Sequence, residues 1–93
     1  MRELEGLNPG QAWPLGSAVI RLGRKRDEND IPLKGLKASR RHALIKFENG
    51  QYVVQSLSPD NPVLINGEPV TDRQILKSGD LIQLGETKMR YEG

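Results

Sequence analysis

Short runs of alternating apolar and polar residues recur along the chain and are separated by turn residues. Three runs alternate clearly enough to predict strands: 18–23 (AVIRLG), 42–48 (HALIKFE) and 51–57 (QYVVQSL). Asn49-Gly50 joins the last two runs, and this dipeptide predicts a hairpin because both residues tolerate positive φ in a type I′ turn. We therefore expect 42–48 and 51–57 to pair as antiparallel strands.

The same turn chemistry appears twice more. Asn66-Gly67 lies between 63–65 and 68–70, and Ser78-Gly79-Asp80 precedes the apolar run 81–84. Further strands are expected over 1–5, 11–15, 30–33 and 87–92, with Asn8-Pro9-Gly10 turning the chain between the first two.

Helical signals are almost absent from the sequence. No window keeps a period of 3.6 residues together with capping residues, and 72–77 is expected to form one helical turn at most. Many short strands at regular spacing are typical of a β-sandwich, so we predict an all-β fold with little or no helix.

Length and composition indicate one soluble domain over residues 1–93. No apolar stretch approaches the roughly 20 residues of a membrane helix, and the first ten residues lack the apolar core of a signal peptide. We therefore expect a cytoplasmic location without membrane insertion. The absence of cysteine excludes a disulfide scaffold and a thiolate zinc site. Because the chain ends directly after the last predicted strand, we expect a terminal module or a domain of a longer chain.

Positive charge is concentrated in the segment 21–41. The net charge of the chain is only +2, which is too mild to indicate nucleic-acid binding. Within 21–41, however, eight Lys or Arg residues stand against three acidic residues. One interpretation is a set of solvated basic loops, and the other is an anion site.

Three segments in or beside predicted loops carry candidate chemistry: Gly23-Arg24, Ser39-Arg40-Arg41-His42 and Ser58-Pro59-Asp60-Asn61-Pro62. Loops cluster at the ends of a sandwich, so these segments can meet there. A phosphate dianion needs a guanidinium, a hydroxyl or N–H donor and further positive charge. Arg24, Ser39 and Arg40 supply these groups.

Other classes of function fit the sequence less well. An enzyme would use Ser39, His42 and either Asp60 or Asp80 as nucleophile, base and orienting acid, but no nucleophile elbow or oxyanion nest accompanies them. His42 can instead hydrogen-bond the loop backbone. One His without Cys offers no usual metal-ligand spacing, and the aromatic residues lie outside the basic segment. We therefore expect no catalysis, no metal or other cofactor, and no nucleic-acid partner.

The combined motifs resemble the forkhead-associated (FHA) domain over nearly the whole chain. The matching motifs are Gly23-Arg24, Ser39-x-x-His42, Asn61, Asn66-Gly67 and Gly79-Asp80-x-Ile82-x-Leu84-Gly85. The resemblance implies an eleven-stranded β-sandwich whose loops at one end bind phosphothreonine-containing peptides. The partner is then a phosphorylated protein in Ser/Thr kinase signalling or complex assembly, such as a kinase or its substrate.

Site roles follow from the resemblance position by position. Arg24 and Ser39 match the residues that contact the phosphate, and Arg40 matches a side chain that often reaches the phosphate or the peptide. Asn61 matches the residue that holds the peptide backbone, and Asp60 and Arg41 are further candidates for peptide contact. Gly23 and His42 match residues that shape and brace the site.

Two departures from the family pattern bear on the phosphate pocket. Asp60 stands where many members carry Thr or Ser, and its carboxylate would repel a phosphate unless it pairs with Arg40 or Arg41. Pro62 follows Asn61 where the family usually has Gly, and proline pushes the preceding residue toward extended geometry. A phosphate-independent scaffold that binds its partner through a sheet face or edge strand is therefore the alternative function.

Overall fold

Short strands form nearly all of the regular structure in the computed structural model, which describes residues 1–16 and 19–92. The ten strands of these residues are β1 Arg2–Glu5, β2 Val19–Gly23, β3 Ile31–Pro32, β4 Ala43–Glu48, β5 Gln51–Ser56, β6 Val63–Ile65, β7 Glu68–Val70, β8 Arg73–Ile75, β9 Leu81–Leu84 and β10 Thr87–Arg90. Helix is confined there to one 3₁₀ turn, Arg26–Glu28. The predicted all-β fold is confirmed, with ten strands described where the family resemblance implied eleven.

The strands form two five-stranded sheets. One has the order β1-β10-β9-β6-β7, and the other has the order β3-β2-β4-β5-β8. Fully buried side chains come from both sheets, such as Leu22 and Val54 from one and Ile82 and Leu84 from the other. Two sheets that share one apolar core make a β-sandwich, as the strand spacing predicted. Across the described residues no helix has the length and hydropathy of a membrane span.

Both Asn-Gly hairpins are confirmed. Asn49 and Gly50 have φ of 52° and 77°, and Asn66 and Gly67 have φ of 53° and 85°. Positive φ at both central residues is the geometry of a type I′ turn, whose twist matches that of the flanking strands. The turns fix the registers of β4 with β5 and of β6 with β7.

Two local expectations were wrong. Residues 11–15 contribute only a single bridge between Ala12 and Arg2, and Pro14 has no N–H to extend it. Residues 72–77 contain strand β8, because pairing with β5 overrides a local pattern too short to fix the conformation. The turn predicted at Ser78-Gly79-Asp80 is confirmed, and it connects the two sheets, since β8 and β9 belong to different sheets.

The remaining predicted strands are confirmed: β1, β3 and β10 are shorter than predicted, and β9 has the predicted bounds 81–84. The short β3 runs parallel to β2, because the chain crosses over through the 3₁₀ turn before pairing. The expected strand 18–23 is described from Val19 onward, and Ala18 lies outside the described residues.

One end of the second sheet brings the candidate segments together. Leu22, Ala43 and Ser56 lie side by side in neighbouring strands, since β4 is antiparallel to both β2 and β5. The connections 24–30, 33–42 and 57–62 all leave from this row. Residues far apart in sequence therefore meet at this end of the sandwich.

Candidate functional site

Three cations surround one cavity at the loop end of the second sheet. The cavity has a volume of about 370 Å³ and is lined by Arg24, Lys25 and Arg40. The Arg24 N–H donates a hydrogen bond of 2.9 Å to the Ser39 carbonyl oxygen, which ties the connection after β2 to the connection before β4. The arrangement creates a positively charged concavity that suits an anion.

Ion pairing is uneven among the basic residues of these loops. Glu28 lies 3.3 Å from the Lys25 ammonium and 3.0 Å from the Arg41 guanidinium. Hydrogen bonds from Arg41 and then Lys25 hold the pKa of Glu28 below its usual value. Within the described residues neither Arg24 nor Arg40 has an acidic partner at ion-pair distance. Of the three cations that line the cavity, Arg24 and Arg40 are therefore the two left for a ligand.

Ser39 stands beside this cavity with its hydroxyl held by two side chains. The Ser39 Oγ lies 2.7 Å from the Ser58 Oγ and accepts a hydrogen bond of 2.9 Å from the Asn61 Nδ2. In this arrangement the Ser39 hydroxyl donates to the Ser58 Oγ. Because a hydroxyl rotates and can also accept, Ser58 can instead donate to Ser39 and leave the Ser39 O–H free to donate to a ligand. Asn61 is thus aimed at Ser39 despite the proline that follows it.

His42 supports the site from the core. It is fully buried, its N–H donates to the Leu22 carbonyl, and its carbonyl accepts from the Leu57 N–H. The Nδ1 atom accepts a hydrogen bond of 3.2 Å from the Ser39 N–H. Because Nδ1 is an acceptor, the proton of the neutral ring belongs on Nε2.

Within the described residues the buried Nε2 of His42 has no hydrogen-bond partner, and the backbone of Asn61 and Pro62 lies near the ring. Burial lowers the pKa of His42, and the proximity of the Asn61 and Pro62 backbone offsets this in part. A neutral His42 keeps its bond to the Ser39 backbone.

The structure does not bring Ser39, His42 and an aspartate together as a catalytic nucleophile, base and orienting acid. Ser39 offers its backbone N–H to His42, while its hydroxyl contacts Ser58 and Asn61. Asp80 instead accepts from Asn66 and from the Lys77 N–H. Among the described residues no group of acidic, His or Cys side chains is arranged to hold a metal ion.

Arg41 and Asp60 lie away from the cation cavity. Arg41 pairs with Glu28 and lines a separate cavity of about 550 Å³ that also contacts Leu44 and Leu57. Asp60 lines a third cavity of about 220 Å³ together with Lys37 and Asn61. Within the described ranges Asp60 forms no ion pair with Arg40 or Arg41, so the anticipated charge cancellation does not occur there.

Three contributors received no site role in the sequence analysis: Lys25 in the cavity wall, Ser58 beside Ser39, and Asn29. The Asn29 amide packs where a side chain on Gly23 would project, so an added Cβ would lie 2.6 Å from its Nδ2. Lys25 was signalled by its place beside Arg24 in the basic segment. Ser58 lay in a candidate segment without a signal for its own role, and nothing in the local sequence distinguishes Asn29 from an ordinary loop residue.

Comparison with known proteins agrees with this geometry. The sequence model of the FHA domain matches residues 20–85. The glycogen accumulation regulator GarA of Mycobacterium tuberculosis is 36% identical over 86 residues, which cover 92% of this chain and 52% of GarA. The chain thus spans about half the length of that relative.

Two solved structures are also similar. Mycobacterium tuberculosis EmbR in complex with a low-affinity phosphopeptide has a TM-score of 0.85 and 31% identity, covering 97% of this chain and 24% of EmbR. A chain from a structural and functional analysis of phosphothreonine-dependent FHA domain interactions has a TM-score of 0.78 and 27% identity, covering 87% and 82%. From the matched family model, the related sequences and the shared fold, the chain belongs to the FHA domain family.

Proposed function

We propose that this chain is a phosphopeptide-recognition module that binds phosphothreonine-containing segments of another protein. The observation that carries the proposal is the cavity between Arg24, Lys25 and Arg40, in which both arginines lack an acidic partner among the described residues. A phosphate dianion would receive guanidinium and ammonium donors there, with Ser39 as a neighbouring hydroxyl donor.

The available contacts are sufficient for a useful affinity. Charge-assisted hydrogen bonds contribute about 1.5–3 kcal/mol each, so two or three of them approach the roughly 8 kcal/mol of a micromolar complex. The Ser39 hydroxyl can join them when its proton turns from Ser58 to the phosphate, because Ser58 can then donate to Ser39 in return. Peptide contacts around the phosphothreonine supply the remainder.

The other site residues take supporting roles in this proposal. Asn61 is placed to exchange its bond with Ser39 for one with the peptide backbone. Asp60 and Arg41 line cavities on the two sides and contact flanking peptide residues. Gly23 and His42 shape and brace the loops from behind.

The wider role follows from the chemistry of the ligand. The related EmbR was solved with a phosphopeptide, and the related FHA domains of the second structure interact in a phosphothreonine-dependent manner. Phosphothreonine is made by Ser/Thr kinases, so the partner is a kinase or a kinase substrate. We place the module in the cytoplasm and assign it a binding function without catalysis, in keeping with a relative named as a regulator.

The test is a titration against a degenerate phosphothreonine peptide library, with matched phosphoserine and unphosphorylated libraries as controls. Binding confined to the phosphothreonine library is the expected result, and enriched sequences would begin to define the partner. Equal binding of the phosphorylated and unphosphorylated libraries, or no binding at low salt, would contradict the proposal. Either result would favour the phosphate-independent scaffold.

A further inference from the structure

One amide side chain connects the two loops that carry the cavity cations. The Asn29 Nδ2 lies 2.7 Å from the Lys25 carbonyl oxygen and 2.7 Å from the Arg40 carbonyl oxygen. A primary amide has two N–H bonds, so one nitrogen can donate to both carbonyls at once. Because both partners are carbonyl oxygens, the nitrogen of the amide must face them.

Gly23 creates the space for this connection. An added Cβ would collide with the Arg40 carbonyl oxygen and lie 2.6 Å and 2.7 Å from the Asn29 Nδ2 and Oδ1. The amide and the Arg40 carbonyl therefore occupy the volume that any larger residue at position 23 would fill. Gly23 and Asn29 form one packing unit behind the cations.

Few other contacts hold the two loops together at this point. The Arg24 N–H bonds the Ser39 carbonyl, and Glu28 bridges Lys25 and Arg41 through side chains. Long surface ion pairs fix positions weakly, because both partners keep rotamer freedom and are screened by salt. The Asn29 amide is the side chain that ties the backbone of Lys25 directly to the backbone of Arg40.

We propose that Asn29 is a positioning residue that fixes the spacing of Arg24 and Lys25 relative to Arg40 for phosphate recognition. This inference rests on the proposed function for its ligand and on loop geometry for its mechanism. Arg24, Lys25 and Arg40 carry like charges around one cavity, and their repulsion favours separation of the loops when no anion is bound. The two amide hydrogen bonds oppose that separation.

The experiment compares the intact chain with Asn29→Ala and with Gln74→Ala, which removes an exposed neutral amide on β8 without a side-chain hydrogen bond in the described structure. The probes are the labelled degenerate phosphothreonine library and its unphosphorylated counterpart. Asn29→Ala should weaken phosphothreonine binding about tenfold, as loss of a group that orients ligand-binding residues commonly does. Gln74→Ala should leave the affinity unchanged.

A second readout separates this inference from the proposed function. Backbone ¹⁵N relaxation of the ligand-free proteins should show greater mobility of Arg24, Lys25 and Arg40 in Asn29→Ala, with β4 and β5 unchanged. In the intact chain the Asn29 side-chain amide protons should exchange slowly with water. A further outcome is that the intact chain binds the phosphorylated and unphosphorylated libraries equally while these mobility and exchange results hold. In that case the proposed function is wrong, but the role of Asn29 in fixing the loop spacing is supported.

Three results would overturn the inference: fast exchange of the Asn29 amide protons, unchanged loop mobility in Asn29→Ala, or, where the intact chain binds phosphothreonine, an affinity of Asn29→Ala equal to that of Gln74→Ala. The exchange measurement needs no substitution. It therefore decides the question even if Asn29→Ala does not fold.

Discussion

Replacing Arg24 by alanine removes the cation on which the proposed phosphate site depends most. The Arg24 side chain is exposed and has no acidic partner within the described residues, so the folded state loses little. The complex loses a bidentate guanidinium contact, which costs about 2–4 kcal/mol, or roughly 30- to 700-fold in affinity. The melting temperature should stay close to that of the original chain.

Arg26→Ala is the matched control for this measurement. Arg26 lies two residues away in the 3₁₀ turn, is also exposed and is not among the residues that line the cavity, so the substitution removes the same formal charge outside the cavity. Long-range screening should limit its effect to about 1 kcal/mol or less. Isothermal titration calorimetry with a selected phosphothreonine peptide measures both variants. Equal losses for Arg24→Ala and Arg26→Ala would show that binding responds to overall charge, and the assignment of Arg24 would be wrong.

Two further substitutions and one pH titration test the surroundings of the site. Asp60 lines a different cavity from Arg24, so Asp60→Asn should strengthen phosphopeptide binding only about threefold. This factor corresponds to a screened charge repulsion of about 0.7 kcal/mol. A hundredfold gain in the same titration would instead place the Asp60 carboxylate against the phosphate. Gly23→Ala should lower the free energy of unfolding by about 1–3 kcal/mol and the melting temperature by roughly 5–20 °C, because the added Cβ would collide with the Arg40 backbone. Gly16→Ala is the control: its Cβ would contact no described residue, so its melting temperature should equal that of the original chain. The ring of His42, the single histidine, should titrate by NMR with a pKa below the ordinary histidine value of 6.5. Its neutral form stabilises the fold fully above pH 6.5, and that stability should decline as the pH falls toward the lowered pKa; a midpoint above 6.5 would contradict burial as the dominant cause.

Local chemistry made parts of the fold predictable. The Asn-Gly turns specify their own backbone angles, and alternation of apolar residues specifies which face of β4 enters the core, whereas in β5 the adjacent Val53 and Val54 are both buried. Strand β8 was not predictable, because three exposed residues gain their conformation from pairing with β5 and carry little pattern of their own. The prediction of a strand over 11–15 was wrong for the opposite reason. The composition of this segment is typical of a strand, but in the described structure it forms only one bridge, between Ala12 and Arg2.

For the site, sequence order indicated which residues to consider but not how they are connected. The convergence of Arg24 and Arg40 depends on the antiparallel register that places Leu22 beside Ala43. The pairing of Arg41 with Glu28 depends on the path of the 3₁₀ turn, which charge counting cannot reveal. Long-range contacts of short polar side chains, such as Asn29 with Arg40, leave no periodic signal in a sequence.

Ser39 is the point at which three loops are joined, and each of its polar groups serves a different connection. Its carbonyl accepts from Arg24, its N–H donates to His42, and its hydroxyl meets Ser58 and Asn61. A site held in this way is largely ordered before the ligand arrives, so binding incurs a smaller loss of loop entropy. His42 extends this order into the core, because its backbone pairs with Leu22 while its ring holds the Ser39 N–H. Ser39→Ala would therefore remove only the hydroxyl contacts and leave the two backbone connections intact, which separates the ligand role of Ser39 from its structural role.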